Sequence, residues 1–132
     1  VGWANASSML FDQDEFIDLF GRLRPWARCL IDTGHALINR WDMEKVIAAL
    51  APKIGAYHLH NNDGVKDIHR PLFDQGLFYS REDTVNLLRI MEKYPPDADW
   101  ILEYAPYKDV TPQRVIQECR QLYGLLEEGT LR

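Results

Sequence analysis

Short apolar segments alternate with amphipathic segments along the whole of this 132-residue chain. The apolar segments have the length of buried strands, and each is followed by apolar residues at helical spacing. The predicted strands cover residues 1–5, 27–32, 54–60 and 100–104, and the predicted helices cover residues 12–24, 42–50, 80–94 and 111–126. Four successive β/α units predict an α/β fold with a parallel sheet and outer helices, not an all-helical or ferredoxin-like domain.

Four β/α units correspond to half of an eight-stranded barrel, which needs roughly 250 residues. Four strands curved as in such a barrel would leave two unpaired edges and one bare apolar face. We therefore expect residues 1–132 to form half of a (β/α)8 TIM-barrel-type domain that pairs with another half, either an upstream segment of a longer chain or a second copy. The start at Val1, without Met and inside an apolar segment, favours a longer natural chain. A small open-sheet domain with helices on both faces is the alternative.

Side chains that commonly bind metals lie at or just beyond the predicted strand ends. Strand alternation places Asp32, His60 and Glu103 on one face of the sheet, and we expect them to converge at one level at its carboxyl edge. Such a donor set suits Mn²⁺, Zn²⁺, Co²⁺ or Mg²⁺. Singly, each residue has another explanation, since Asp32 can cap the next turn and Glu103 can pair with a Lys or Arg. The full set is Asp32, His35, His60, Asp67, His69 and Glu103.

The charge balance and the cysteines limit the partners that this chain can have. Fifteen basic and twenty acidic residues give a formal net charge of -5, and no Lys/Arg-rich run predicts general nucleic-acid binding. Cys29 and Cys119 stand in apolar or helical segments and read as buried thiols of a protein from the reducing cytoplasm. No apolar run approaches the ~20 residues of a membrane span. Because neither nucleic acid nor a membrane is expected as a partner, the expected partner is a small molecule.

Three stretches carry a family resemblance. They are "CLIDTGHA" (29–36), "YHLHNNDGVKDIHRPLFDQG" (57–76) and "ILEY" (101–104). Together they resemble the sugar phosphate isomerase/epimerase superfamily, the xylose isomerase-like barrels that also include endonuclease IV. The similarity covers nearly the whole chain and corresponds to the C-terminal half of that fold.

The resemblance implies a role for each matching residue. Asp32, His60 and Glu103 resemble three of the four ligands of a divalent metal, and His35 resembles a residue that touches substrate oxygens in the epimerases or holds an additional zinc in the endonuclease. Asp67 and His69 resemble a further zinc pair of the endonuclease, although the same spacing occurs in single-metal relatives, and we favour one metal. The remaining expectations are that His58 faces the substrate or supports a ligand, and that Lys66 contacts a substrate hydroxyl or phosphate.

One position departs from the family pattern. The family's fourth ligand is a Glu at the end of the preceding strand, and the nearest counterpart here is Ala4 in "WANA". In the isomerases this Glu and the counterpart of Glu103 work from opposite sides of the sugar as the two proton-transferring bases. Either the true Glu lies upstream of Val1, or the position has changed and activity is weak, or another residue such as Glu15 substitutes.

The predicted function is a metal-dependent isomerase or epimerase that acts on a small sugar or sugar phosphate through an enediol. Glu103 would act as ligand and as acid/base, with His35 fixing the substrate. The alternatives are a phosphodiester hydrolase with two or three metals, similar to endonuclease IV, and a degenerate barrel fragment that only binds a ligand. The acidic net charge argues against DNA as the substrate.

Overall fold

The computed structural model describes residues 12–94 and 97–127. The predicted first strand at residues 1–5, with Ala4, lies outside the described residues. Within them, three parallel strands pair in the order β1-β2-β3, and five α-helices connect and flank them. The strands are β1 (Cys29–Asp32), β2 (Ile54–Leu59) and β3 (Asp99–Leu102); the helices are α1 (Gln13–Arg22), α2 (Thr33–Ile38), α3 (Met43–Leu50), α4 (Arg81–Lys93) and α5 (Pro112–Glu127), with a 3₁₀ turn at Ala51–Lys53. The prediction of an α/β fold with a parallel sheet is confirmed.

Local capping explains where the helices begin. Asp12 accepts hydrogen bonds from the backbone N–H groups of Asp14 and Glu15 and so caps α1. At α4 the capping box is complete, because the Ser80 hydroxyl accepts from the Asp83 N–H and the Asp83 carboxylate accepts from the Ser80 N–H. The helix α2 was not predicted, since the sequence reads as a loop around Gly34.

The two faces of the sheet are unequal. Ile31, Tyr57 and Leu59 are fully buried on one face, where they belong to the core formed with the helices. On the other face, Leu30 and Ile101 keep 37% and 42% of their surface exposed. Burying an aliphatic side chain contributes about 1.5–3 kcal/mol, so the covered face supplies the stability of the sheet.

The described helices are all too short or too polar to cross a membrane. Cys29 is buried as predicted, whereas Cys119 is only partly buried, and both are free thiols.

Candidate metal centre

The carboxyl ends of the three strands bring the predicted donors together. Asp32 ends β1, and His60 and Glu103 directly follow β2 and β3. One donor atom from each lies within 4.8 Å of the other two. The donors do not lie at one level, however, because the strand register pairs Asp32 with His58 and the Glu103 N–H donates to the carbonyl of Leu59. Asp32 therefore lies level with His58, two residues before His60, while Glu103 lies level with His60.

Asp32 is both a helix cap and a member of this cluster. Its Oδ1 accepts a hydrogen bond from the backbone N–H of His35 at 2.8 Å, which caps α2, and lies 2.9 Å from Nε2 of His60. Burial by itself raises the pKa of Asp32, but the hydrogen bond and charge of His60 and the His35 N–H outweigh burial and lower it. The carboxylate is thus held in the charged form that a cation requires.

Gly34 makes room for the buried imidazole of His60. A Cβ atom at position 34 would overlap the His60 ring. The absence of a side chain here is a requirement of close approach rather than of an unusual backbone angle. The sequence contains the glycine, but only the tertiary structure shows what it accommodates.

A second donor set lies beside the first and shares His60 with it. His35, His60, Asp67 and His69 each offer an atom within 4.8 Å of the others. Nε2 of His35 lies 2.8 Å from Oδ2 of Asp67, and Nε2 of His69 lies 3.1 Å from Oδ1. The rings of His60 and His69 stack with centroids 3.8 Å apart. All six predicted donors thus form one continuous cluster around His60.

One buried atom of this cluster, Nδ1 of His60, has no hydrogen-bond partner among the described residues. Oδ1 of Asp67 is also buried, and it contacts Nε2 of His69 at 3.1 Å. A buried polar atom left without a partner costs about 1–3 kcal/mol. An imidazole nitrogen and a carboxylate oxygen are also the atoms that bind Zn²⁺, Mn²⁺ or Co²⁺, whereas Mg²⁺ prefers oxygen donors alone. The cluster therefore has the composition of a site that can hold a divalent cation.

His58 lies next to Glu103. Its Nδ1 is 2.7 Å from Oε2 of Glu103, and the Glu103 side chain keeps 42% of its surface exposed. Among the described residues, this carboxylate therefore pairs with a histidine and not with the Lys or Arg that was the alternative. Lys66 is exposed, and its backbone N–H donates a hydrogen bond to the carboxylate of Asp63. Its expected contact with substrate stays a prediction.

Two asparagines that sequence reasoning overlooked hold the segment after His60. The Asn61 amide donates to the carbonyls of Leu72 and Tyr79, and the Asn62 amide donates to the carbonyl of Gly34 at 2.9 Å. Both side chains are fully buried. The Asn62 bond ties the β2 end to the turn that carries His35. These bonds join carbonyls that are 11 to 28 residues away in the chain, so no local sequence pattern could reveal them.

No protein-family model matches this chain, and neither a curated protein nor a solved structure is detectably similar to it. The family resemblance of the sequence motifs consequently stays a prediction.

Proposed function

We propose that this chain is a divalent-metal-dependent isomerase or epimerase acting on a small sugar or sugar phosphate through an enediol. The observation that carries the proposal is the His60-centred cluster of histidines and carboxylates, in which the buried Nδ1 of His60 has no hydrogen-bond partner among the described residues. The exposed carboxylate of Glu103 at its edge adds a group able to move protons. The motif resemblance supplies the substrate class.

We further propose that the described elements belong to the C-terminal half of a xylose isomerase-like (β/α)8 barrel. Three features support this: the sequential parallel strand order, the position of the cluster at the carboxyl ends of the strands, and the exposure of Leu30 and Ile101 on one sheet face. In a closed barrel that face would be the filled interior. The other half would come from an upstream segment or from a second copy of this chain.

The proposed mechanism assigns distinct tasks to the residues of the cluster. Asp32, His60 and Glu103 would hold the cation, which when bound polarises the carbonyl and neighbouring hydroxyl oxygens of the substrate. Glu103 removes the proton from the carbon beside the carbonyl, and His58, 2.7 Å from Oε2, orients the carboxylate. His35, whose Nε2 lies 2.8 Å from Oδ2 of Asp67, would fix a substrate oxygen, as the motif resemblance implies.

Glu103 is the one carboxylate of the cluster to which the proposal assigns proton transfer, and this favours one of the two reactions. Glu103 can return its proton to the adjacent carbon on the same face of the enediol, while a second proton passes from the neighbouring hydroxyl oxygen to the former carbonyl oxygen. These two transfers together interconvert an aldose and a ketose. Epimerisation at one carbon needs a second acid on the opposite face, and the corresponding position, Ala4, carries none. Aldose–ketose isomerisation therefore demands less of this chain.

The test combines metal content with proton exchange. We expect plasma mass spectrometry to find about one ion per chain after loading with Mn²⁺ or Zn²⁺, and NMR in D₂O to detect deuterium entering a ketose beside its carbonyl. Asp32→Asn should lose the ion, and Glu103→Gln should lose the exchange. Asp18→Asn is the matched control, because Asp18 pairs with Arg22 on the exposed side of α1. A wild-type chain that retains no ion, or an ion-loaded chain that exchanges no proton with any ketose, would refute the proposal.

A second candidate function is metal-dependent hydrolysis of a phosphodiester, which the second donor set of His35, Asp67 and His69 favours. Two ions around His60 could together stabilise the attacking and leaving oxygens. Cleavage of an abasic duplex or of a simple phosphodiester that depends on Asp67 would favour this function over isomerisation. Ion binding with neither activity would favour the degenerate fragment that only binds a ligand.

A further inference from the structure

The segment that links β2 to α4, residues 60–80, carries three of the cluster's donors and contains one unusual backbone conformation. His69 has φ +46°, in the left-handed region that residues other than glycine seldom adopt. Such a conformation persists only where surrounding contacts impose it. We call residues 60–80 the β2–α4 loop. The contacts made by the residues next to His69 in this loop are the ones that can hold its left-handed backbone.

Arg70, the residue after His69, is fixed in several directions. Its two terminal nitrogens donate to the two carboxylate oxygens of Asp109 at 3.1 and 2.6 Å, and its Nε donates to Asp74 at 2.8 Å. The guanidinium lies 4.7 Å from the ring centre of Tyr107. Its backbone N–H and C=O both pair with Asn61, which adjoins His60. Arg70 thus joins the start of the β2–α4 loop to the segment that follows β3.

Arg114, in the first turn of α5, closes this network into a ring. It donates to Asp109 at 2.5 Å and also pairs with Asp74. The hydrogen bond from Arg70 is the main reason that the pKa of Asp109 lies well below its usual range. A forked pair inside a network of four charges is stronger than an isolated surface pair.

Two backbone contacts transmit this attachment to His69 itself. The Ala105 N–H donates to the carbonyl of His69 at 2.9 Å, and the Tyr107 hydroxyl donates to the carbonyl of Ile68 at 2.8 Å. The chain on both sides of the left-handed residue is therefore bound to the segment between β3 and α5.

We infer that Arg70 is a positioning residue: with Asp74, Asp109 and Arg114 it forms a charged clamp that holds the left-handed backbone of His69 and so preorganises the donors of Asp67 and His69 around His60. The inference rests on the proposed metal function. A loop that is ordered before the ion arrives loses less conformational entropy on binding. Without the clamp, the same donors would have to be gathered by the ion.

The test measures loop order and metal affinity in the same variants. Arg70→Gln removes the fork and one positive charge, and Arg22→Gln is the matched control because it removes the same charge from an exposed pair within α1. In metal-free protein we expect Arg70→Gln to speed hydrogen exchange at the Ala105 amide about tenfold, with α3 amides unchanged. We expect its Zn²⁺ affinity to fall by about 10–100-fold, as for residues that orient ligands. Arg70→Lys should fall between, since an ammonium cannot span both carboxylates.

Four results would each contradict a specific part of the inference or of the proposed function. Wild-type exchange at Ala105 in Arg70→Gln, or exchange that rises equally in α3, would overturn the clamp. Faster exchange at Ala105 with unchanged Zn²⁺ affinity would also overturn preorganisation. A wild-type chain that binds no Zn²⁺ would refute the metal function, and the exchange data would still decide whether Arg70 holds His69. If Arg70→Gln does not fold, Asp109→Asn, on the other side of the fork, takes its place in both measurements.

Discussion

The apolar core beneath the sheet and the Asp32–His60 pair at the centre of the strand-end cluster are both buried, but one is built from apolar side chains and the other from polar ones. Ile31 and Tyr57 are fully shielded by apolar side chains, while Asp32 and His60, only a few residues away, are 4% and 0% exposed among other polar groups. Burial of apolar surface stabilises the fold, whereas gathering histidines and carboxylates out of water opposes it unless each is paired. The covered face of the sheet therefore stabilises a cluster that does not stabilise itself.

A truncation in the apolar core should lower the free energy of unfolding the most, and it leaves the donors of the cluster in place. Leu88 is fully buried, so Leu88→Ala should lower the free energy of unfolding by about 2–5 kcal/mol, because it removes apolar contacts and leaves a cavity. Urea denaturation measures the loss. Ile116→Ala is the control, because Ile116 is half exposed and its truncation should cost about 0.5 kcal/mol or less. A similar loss in free energy of unfolding for Leu88→Ala and Ile116→Ala would contradict the claim that the buried core stabilises the fold.

Binding of a metal ion should stabilise the folded chain through the cluster alone. An ion that binds only the folded chain at a hundred times its dissociation constant should raise the free energy of unfolding by about 2.7 kcal/mol. Zn²⁺ should therefore raise the melting temperature of the wild type, and His60→Asn should abolish the rise, since both donor sets share His60. Stabilisation that survives in His60→Asn would place the ion elsewhere.

Gly34→Ala tests the boundary between the two regions. The added Cβ would overlap the His60 ring, so the ring or the start of α2 must shift. We expect a loss of about 1–3 kcal/mol in stability, together with weaker Zn²⁺ binding measured by competition with a chelating dye. Gly21→Ala is the control, because its Cβ would meet nothing within 4 Å. Wild-type Zn²⁺ affinity in Gly34→Ala would show that the close approach does not matter for the site.

The smallest expected effect is a difference in pH dependence between two buried carboxyls. Burial raises the pKa of Glu118, which bonds to the Tyr104 hydroxyl, so its contribution to stability is present at low pH and is lost as pH rises through the folded-state pKa. The pKa of Asp32 is lowered, so its contribution is present above the unfolded-state value and is lost as pH falls. Denaturation of metal-free protein across pH, with Glu118→Gln and Asp32→Asn, measures both. If Glu118→Gln and Asp32→Asn change the pH dependence of stability in the same direction, the two carboxyls do not have opposite environments.

Much of the fold could be predicted because its signals are local. Apolar segments at strand length predicted all three described strands, and Ser80 and Pro112 mark the starts of α4 and α5 at the expected positions. Local patterns missed α2, since six residues beginning with Thr33 and Gly34 are too few to show helical periodicity. They also placed Asp32 level with His60, an error that only the strand register reveals.

The alternation of strands and helices and the metal-type donors at the strand ends could be predicted, because both follow from residues close together in the chain. Folding brings His58 to Glu103, stacks His60 on His69 and places all six donors in one cluster, and none of these contacts could be read from the sequence. The same holds for the clamp, in which Arg70 meets Asp109 across 39 positions of the chain. Contacts of this kind depend on how packed elements orient distant side chains, which no local pattern encodes.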